Sequence, residues 1–168
     1  MAVKEGDRVP EAVLQHFDSE GELRKVSTAE LCGDGKTVVL FAVPGAFTPT
    51  CSLKHLPGFI KLADEMKDAG ADDVVCVSVN DAFVMRAWEK SGAFGSGRVL
   101  LLADGSCLFT RAMDAELDLN EKGLGVRSRR YAMIVEDGVI AHLSMEEGGE
   151  LNVSNAEHIL HLLEADAQ

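Results

Sequence analysis

Between Val43 and Leu53 the chain reads Pro44-Gly45-Ala46-Phe47-Thr48-Pro49-Thr50-Cys51-Ser52, a thiol directly after a loop with two prolines, a glycine and two threonines. A cysteine reacts as its thiolate, and negative charge is favoured in the first turn of a helix, where unpaired backbone N–H groups and the helix dipole meet it. Thr48, three residues before Cys51, brings a hydroxyl that can accept from an oxygen-bearing substrate and donate to another group. Gly45 lets the backbone come close to a ligand, while Pro44 and Pro49 stiffen the loop and remove competing N–H donors. The chemistry implied is nucleophilic attack by sulfur on a small bound electrophile. By residue type alone, a buried unreactive cysteine fits the same helix start. Burial by itself, however, does not require a loop of this composition.

The elements that must position Cys51 follow from the hydrophobic pattern. Thr37–Val43 is a continuous apolar run rich in β-branched residues, as expected of a strand covered on both faces, and it ends at Pro44-Gly45. From Ser52 to about Ala69, Leu53, Leu56, Phe59, Ile60, Leu62, Ala63 and Met66 recur at helical spacing and Gly70 closes the run, with a kink expected at Pro57-Gly58. Val74–Val79 predicts a second buried strand, Asn80-Asp81 a cap for a helix carrying Phe83, Val84, Ala87 and Trp88, and Val99–Leu102 a third strand. A short helix is expected around Cys107 to Met113. Tyr131–Val135 and Val139–Leu143 flank Asp137-Gly138, a tight-hairpin signal, and Asn155–Leu163 predicts a closing helix with Ala156, Ile159, Leu160 and Leu163 inward. Ahead of all these, Ala12–Phe17 and Glu22–Val26 predict a hairpin, and Ser27-x-x-Glu30 a capping box for a short helix stopped at Gly33. The order is α/β, a central mixed sheet flanked by helices with an N-terminal hairpin extension, which a thioredoxin-like fold fits.

Composition bounds the rest. The 168 residues, 46% of them apolar, predict one domain over 1–168 with a buried core, and four prolines argue against a disordered chain. A net charge of −12 would repel phosphate backbones and anionic lipid, so neither nucleic acid nor a membrane surface is an expected partner. No apolar stretch is long enough to span a bilayer and Met1–Arg8 has no apolar signal core, so the default location is cytoplasmic. A transit peptide removed beforehand would leave the same sequence, and an organelle stays open. Cys32, Cys51, Cys76 and Cys107 form no Cys-x-x-Cys pair and no zinc-ligand spacing, and His158 and His161 lack a third ligand.

At the Cys51 loop the sequence resembles a known family. Pro44-x-x-x-Thr48-x-x-Cys51 is similar to the peroxiredoxin signature, and the longer run Val43–Ser52 resembles the type II, peroxiredoxin-5-like subgroup. The match continues through Lys54–Phe59, Ser78–Phe83, Leu102–Gly105, Gly123–Tyr131 and Gly148–Glu150, nearly the whole chain. The resemblance implies a peroxidase that reduces hydrogen peroxide and small alkyl hydroperoxides without metal, haem or flavin. In it, Cys51 is oxidised to a sulfenic acid, Thr48 bonds thiolate and peroxide together, Pro44 shields the sulfur and Gly45 offers its N–H to peroxide. The family arginine falls at Arg130, before the aromatic that opens the last hairpin. In a strand Arg130, Ala132 and Ile134 share one face and Arg129 and Tyr131 the other, so only one face looks toward Cys51. Arg127 and Arg129 are expected to be solvated.

Regeneration is less determined by the residues. Some relatives carry a second cysteine where this chain has Val153, and Cys76 matches one seen in plant-like members but lies mid-strand in Val-Val-Cys-Val. Core packing is the preferred reading of Cys76 and resolution the alternative. An external thiol, from glutathione, glutaredoxin or thioredoxin, is then the expected reductant. Cys32 and Cys107 have no motif around them, and His55, one turn after Cys51, is expected to pack or hydrogen-bond. Relatives also imply a homodimer through the active-site loop, with Phe47, Phe83 and Trp88 as contact candidates unless they are core. Three other functions compete. A thiol–disulfide oxidoreductase lacks its second cysteine, since Ser52-Leu53-Lys54 follows Cys51, and a cysteine hydrolase would need a group to orient His55. A peroxide sensor acting through a partner would share the same first oxidation.

Overall fold

The computed structural model describes residues 3–92 and 98–167. The expected hairpin forms from β1 (Val13–Phe17) and β2 (Leu23–Ser27), and Ser27 then caps α1 (Thr28–Cys32) by accepting from the Glu30 N–H. The apolar runs become β3 (Thr37–Val43), β4 (Asp73–Ser78) and β5 (Leu100–Ala103), parallel to one another and covered on both faces. Helices α2 (Leu56–Asp68) and α3 (Ala82–Lys90) make the crossovers, and α4 (Leu108–Ala112) follows β5. The Asp137-Gly138 turn, with φ of 48° and 79°, joins β8 (Tyr131–Glu136) to β9 (Val139–Met145), and α5 (Ala156–Asp166) starts at the Asn155 cap. The sheet runs β2-β1-β5-β4-β3-β8-β9, so the N-terminal hairpin extends its edge.

Alternation along the strands divides the core in two. Val39, Phe41, Val43, Cys76, Ala132 and Ile134 face α2, α3 and α5. Val38, Leu40, Ala42, Val77, Tyr131 and Met133 face α1 and α4 on the other side. Cys51 belongs to the first layer, as do Ala132 and Ile134, so the face expected for Arg130 is the one observed.

Three features differ from the reading of the sequence or go beyond it. The irregularity foreseen at Pro57-Gly58 is a π-turn, Cys51–His55, closed by the Leu56 N–H on Cys51 O, with Pro57 in the first turn of α2. A proline ring inside a regular helix collides with the carbonyl four residues back, and a wider turn ahead of it relieves the collision. The wider turn also presents Leu53 outward, 74% exposed, although the periodicity placed it with the inward residues. Second, Ala87 is exposed on α3, whereas Ala82, Met85 and Trp88 face the core. Third, a separate ribbon was not foreseen: β6 (Glu116–Leu119) and β7 (Gly125–Ser128) pair antiparallel around a 3₁₀ turn at Asn120–Lys122. Each strand has four residues, too few for alternation to declare itself.

Candidate active site

A helical turn begins at Pro49, and Ser52 N–H donates to Thr48 O at 3.0 Å, so Cys51 lies in the first turn as expected. Its side chain is fully buried. The loop before it is tied down on both sides. Ala46 N–H donates to Asn80 Oδ1 at 3.0 Å, and the Ser78 hydroxyl at the end of β4 donates to the same oxygen. Asn80 was expected as part of a helix cap; Asp81 does the capping and Asn80 holds the loop. The Thr48 hydroxyl donates to Gly45 O at 2.6 Å, which leaves its lone pairs, and not its hydrogen, to face a substrate.

Arg130 is buried at 2% exposure and every branch of its guanidinium is engaged. Nη2 donates to Cys51 Sγ at 3.3 Å, Nη1 to His55 Nδ1 at 2.9 Å, and Nε to Gly149 O at 2.9 Å. A guanidinium has no lone pair to offer, so His55 Nδ1 must be the bare nitrogen and Nε2 carries the proton, donated to Ser154 O at 2.9 Å. The ring lies against Phe41 and Phe59, with centroids 4.9 and 5.4 Å away. Burial, then the charge on Arg130, pushes His55 from its ordinary 6.5 down to about 3, against a smaller opposing effect of the Ser154 carbonyl. His55 is thus a neutral acceptor that aims Arg130, in line with the hydrogen-bonding role expected.

That depression has a measurable sign. Between pH 6.5 and about 3 the unfolded chain binds a proton at His55 and the folded chain does not, so folding free energy is lost as pH falls through this window. Compared with His55→Gln, which has nothing to protonate, wild type should lose stability progressively in urea unfolding from neutral pH down to about pH 4. Curves that stay parallel would refute the buried neutral imidazole.

The solvated reading of the neighbouring arginines is corrected. Arg127 donates from Nε to Leu124 O at 2.8 Å and from Nη1 to Pro44 O at 3.2 Å, bridging β7 to the Cys51 loop. A Cβ on Gly45 would run into Arg127 Nη1, so the glycine is needed for this close approach. Arg129 donates from Nε and Nη2 to Glu146 O at 3.0 and 2.7 Å. Both are half-buried struts, because carbonyls left unpaired at loop ends recruit the cations that solvent would otherwise hold. The unforeseen ribbon completes the site's mouth: a cavity of about 330 Å³ is lined by Pro44, Thr48, Leu117, Leu119, Leu124 and Arg130.

The other thiols are placed against reactivity. Cys76 is fully buried mid-strand in β4, on the Cys51 side of the sheet, and burial followed by the Cys51 charge pushes its thiol well above the usual range. This favours core packing over the resolving role considered for it. Cys32 lies on the opposite face, pushed up to about 11 chiefly by burial, and burial also raises Cys107 at the start of α4. Val153 is 43% exposed. Among the contact candidates, Phe47 and Phe83 are 53% and 61% exposed, whereas Trp88 is core and donates Nε1–H to Ser52 Oγ at 2.9 Å. No three His, Cys, Asp or Glu side chains come together as a metal-holding set among the described residues, and none of their helices is long and apolar enough to cross a membrane.

Known proteins share this arrangement of chain. The Redoxin family model matches residues 4–160. Peroxiredoxin-2E-2, chloroplastic, of Oryza sativa subsp. japonica is 56% identical over 161 residues, 94% of this chain and 71% of that one. Peroxiredoxin-2B of Arabidopsis thaliana is 49% identical over 94% of this chain and 96% of its own length. Among solved structures, reduced Prx3 of Vibrio vulnificus in complex with hydrogen peroxide superposes with a TM-score of 0.89 at 48% identity, covering 96% of this chain and 99% of that one.

Proposed function

Since the chain belongs to the peroxiredoxins of the Redoxin family and is a thiol-dependent peroxidase of antioxidant type, we propose that Cys51 is the residue it oxidises. In this reading Thr48, Arg130, Pro44 and Gly45 complete the site. The observation that carries the assignment is the buried Arg130 guanidinium donating to the Cys51 sulfur at 3.3 Å. The thiolate attacks one peroxide oxygen, the O–O bond breaks, and the other oxygen leaves with the peroxide proton as water or an alcohol. Sulfur is oxidised by two electrons to a sulfenate, which takes back from solvent the proton the thiol released on ionising and so becomes the sulfenic acid. Arg130 and the Gly45 N–H stabilise the charge that develops on the peroxide oxygens, the Thr48 oxygen accepts the peroxide hydrogen, and Pro44 screens the sulfur from solvent. The leucines of the β6–β7 ribbon support small alkyl hydroperoxides as substrates beside hydrogen peroxide.

An external thiol returns the sulfenic acid to thiol. Three observations support this: Val153 stands where some relatives have a cysteine, Cys76 is enclosed in the sheet, and Cys32 lies on the far face. Glutathione with glutaredoxin, or thioredoxin, is the proposed donor. The exposed Phe47 and Leu53 on either side of Cys51, with the exposed Phe83 at the start of α3, support a homodimer, and the chain acts as one domain. A chloroplastic relative supports an organelle location, with the cytoplasm as the alternative.

The reduced protein should be mixed with hydrogen peroxide alone, with glutathione plus glutaredoxin, and with a thioredoxin system, following peroxide loss and the mass of the Cys51 peptide. Repeated turnover with one donor, through a sulfenic or mixed-disulfide Cys51, is the expected result. One stoichiometric oxidation that no donor reverses would instead mark a sensor.

A further inference from the structure

Glu146 lies just past β9, is 4% exposed, and is attached to the site through its backbone: its N–H donates to Arg130 O at 2.9 Å. Its side chain makes a second attachment. Oε2 accepts from Asn152 N–H, Val153 N–H, Ser154 N–H and the Ser154 hydroxyl at 2.8, 2.7, 2.9 and 2.9 Å. Three successive amides converging on one oxygen form the concave donor set that binds free anions elsewhere, occupied here by the chain's own carboxylate. Burial raises the Glu146 carboxyl, but the hydrogen bonds from Val153, Ser154 and Asn152 outweigh it and hold the group below its usual 4.5. At neutral pH the occupant is therefore the carboxylate.

What this turn presents on its other side is the Ser154 carbonyl, the acceptor that keeps the His55 proton on Nε2. If that carbonyl turns away, the ring has no acceptor holding its proton there, and a ring protonated at Nδ1 would point a hydrogen at the Arg130 cation. The same loop supplies Gly149 O to Arg130 Nε, and a Cβ placed on Gly149 would come to 4.0 Å from Pro44 Cγ. We propose that Glu146 is a positioning residue for the peroxidase reaction: by clamping the 152–154 turn it fixes the His55 tautomer, and through His55 it aims Arg130 at the Cys51 sulfur. The proposal rests on the reading of Cys51 and Arg130 given above. It concerns no contact between Glu146 and peroxide.

The test uses the full chain as wild type, Glu146→Gln and Glu146→Ala. The rate of Cys51 oxidation by hydrogen peroxide is read by peptide mass, and the His55 tautomer by the nitrogen chemical shifts of its ring. In Glu146→Ala the rate should fall about tenfold or more, the scale set by losing hydrogen bonds to a charged group. The His55 ring should lose its single Nε2–H signature at the same time. Glu146→Gln keeps an acceptor oxygen but no charge, so it should fall between the two, and it serves if the alanine variant does not fold. Ser154→Ala, which removes only the hydroxyl donor, should show the smallest change of tautomer and rate. A residue that merely stabilised the fold would lower thermal stability and leave the tautomer alone. A folded Glu146→Gln or Glu146→Ala protein with the wild-type rate and tautomer overturns the proposal by itself. Oxidation of the wild type at a cysteine other than Cys51 overturns the site reading and this proposal with it.

Discussion

Cys51→Ser should lose peroxide turnover with every donor, by at least about 10⁴-fold, while the protein stays folded. A serine hydroxyl is almost wholly protonated at neutral pH, so the group that attacks the O–O bond is absent even though the pocket around it is intact. Folding should be spared because the substituted oxygen still receives the Arg130 Nη2 donor and the first helical turn keeps its bonds to the loop. None of the other thiols can substitute. Cys76 and Cys107 are raised by burial and Cys32 is pushed up to about 11, so each is protonated near neutral pH. Cys32 and Cys107 also lack the Arg130 contact that distinguishes Cys51. The measurement is steady-state peroxide loss together with circular dichroism, with Cys76→Ala as the comparison expected to turn over. Normal turnover in Cys51→Ser would end the assignment. Loss of turnover in a folded Cys76→Ala protein would return Cys76 to the resolving role.

The parts of this site that were readable in the sequence are the ones written locally. Cys51, Thr48 and Gly45 lie within seven residues, and the helix start that favours the thiolate follows directly from the strand ending at Val43. Arg130 was indicated by the family resemblance, whereas period-two alternation only separated its face from that of Arg129 and Tyr131; it is the structure that puts Ala132 and Ile134 in the layer of Cys51. The supporting groups were not readable, because their meaning depends on contacts far apart in the chain. His55 reaches Ser154 across 99 residues and Arg127 reaches Pro44 across 83. Composition also misled at the arginines: a run of cations in an acidic chain suggests solvated surface, yet loop carbonyls absorbed Arg127 and Arg129. Leu53 and Trp88 show the same limit from the apolar side. Helical spacing counted Leu53 inward, but the π-turn moved it out, and Trp88 was a surface candidate that the Ser52 hydroxyl and the core enclosed. One signal was available and unused: Asn80 lies two residues past the end of β4, where α/β sheets gather their functional groups.

Arg130→Ala should slow the first oxidation of Cys51 by about 10²–10³-fold, the range for removing one preorganised donor at a site of developing charge. Three acceptors are stripped at once: the Cys51 sulfur, His55 Nδ1 and Gly149 O. His55 is a poor replacement cation, because burial, the larger of the two causes that depress it, still disfavours its charged form once Arg130 is gone. Arg130→Lys tests charge against geometry. An ammonium restores a positive charge, but it is a point donor on a flexible stem and cannot span the sulfur, the imidazole and the carbonyl together, so it should recover only part of the rate. Arg127→Ala separates the two arginines. Its struts hold Pro44 and Leu124 carbonyls rather than sulfur, so it should cost stability of the loop and less of the rate. The progress of oxidation can be followed in rapid mixing by Trp88, the one tryptophan of the chain, whose indole N–H bonds the residue next to Cys51. If Arg127→Ala proves the slower variant and Arg130→Ala oxidises at the wild-type rate, the guanidinium that matters is the one over Pro44, and the role given to Arg130 belongs to its neighbour.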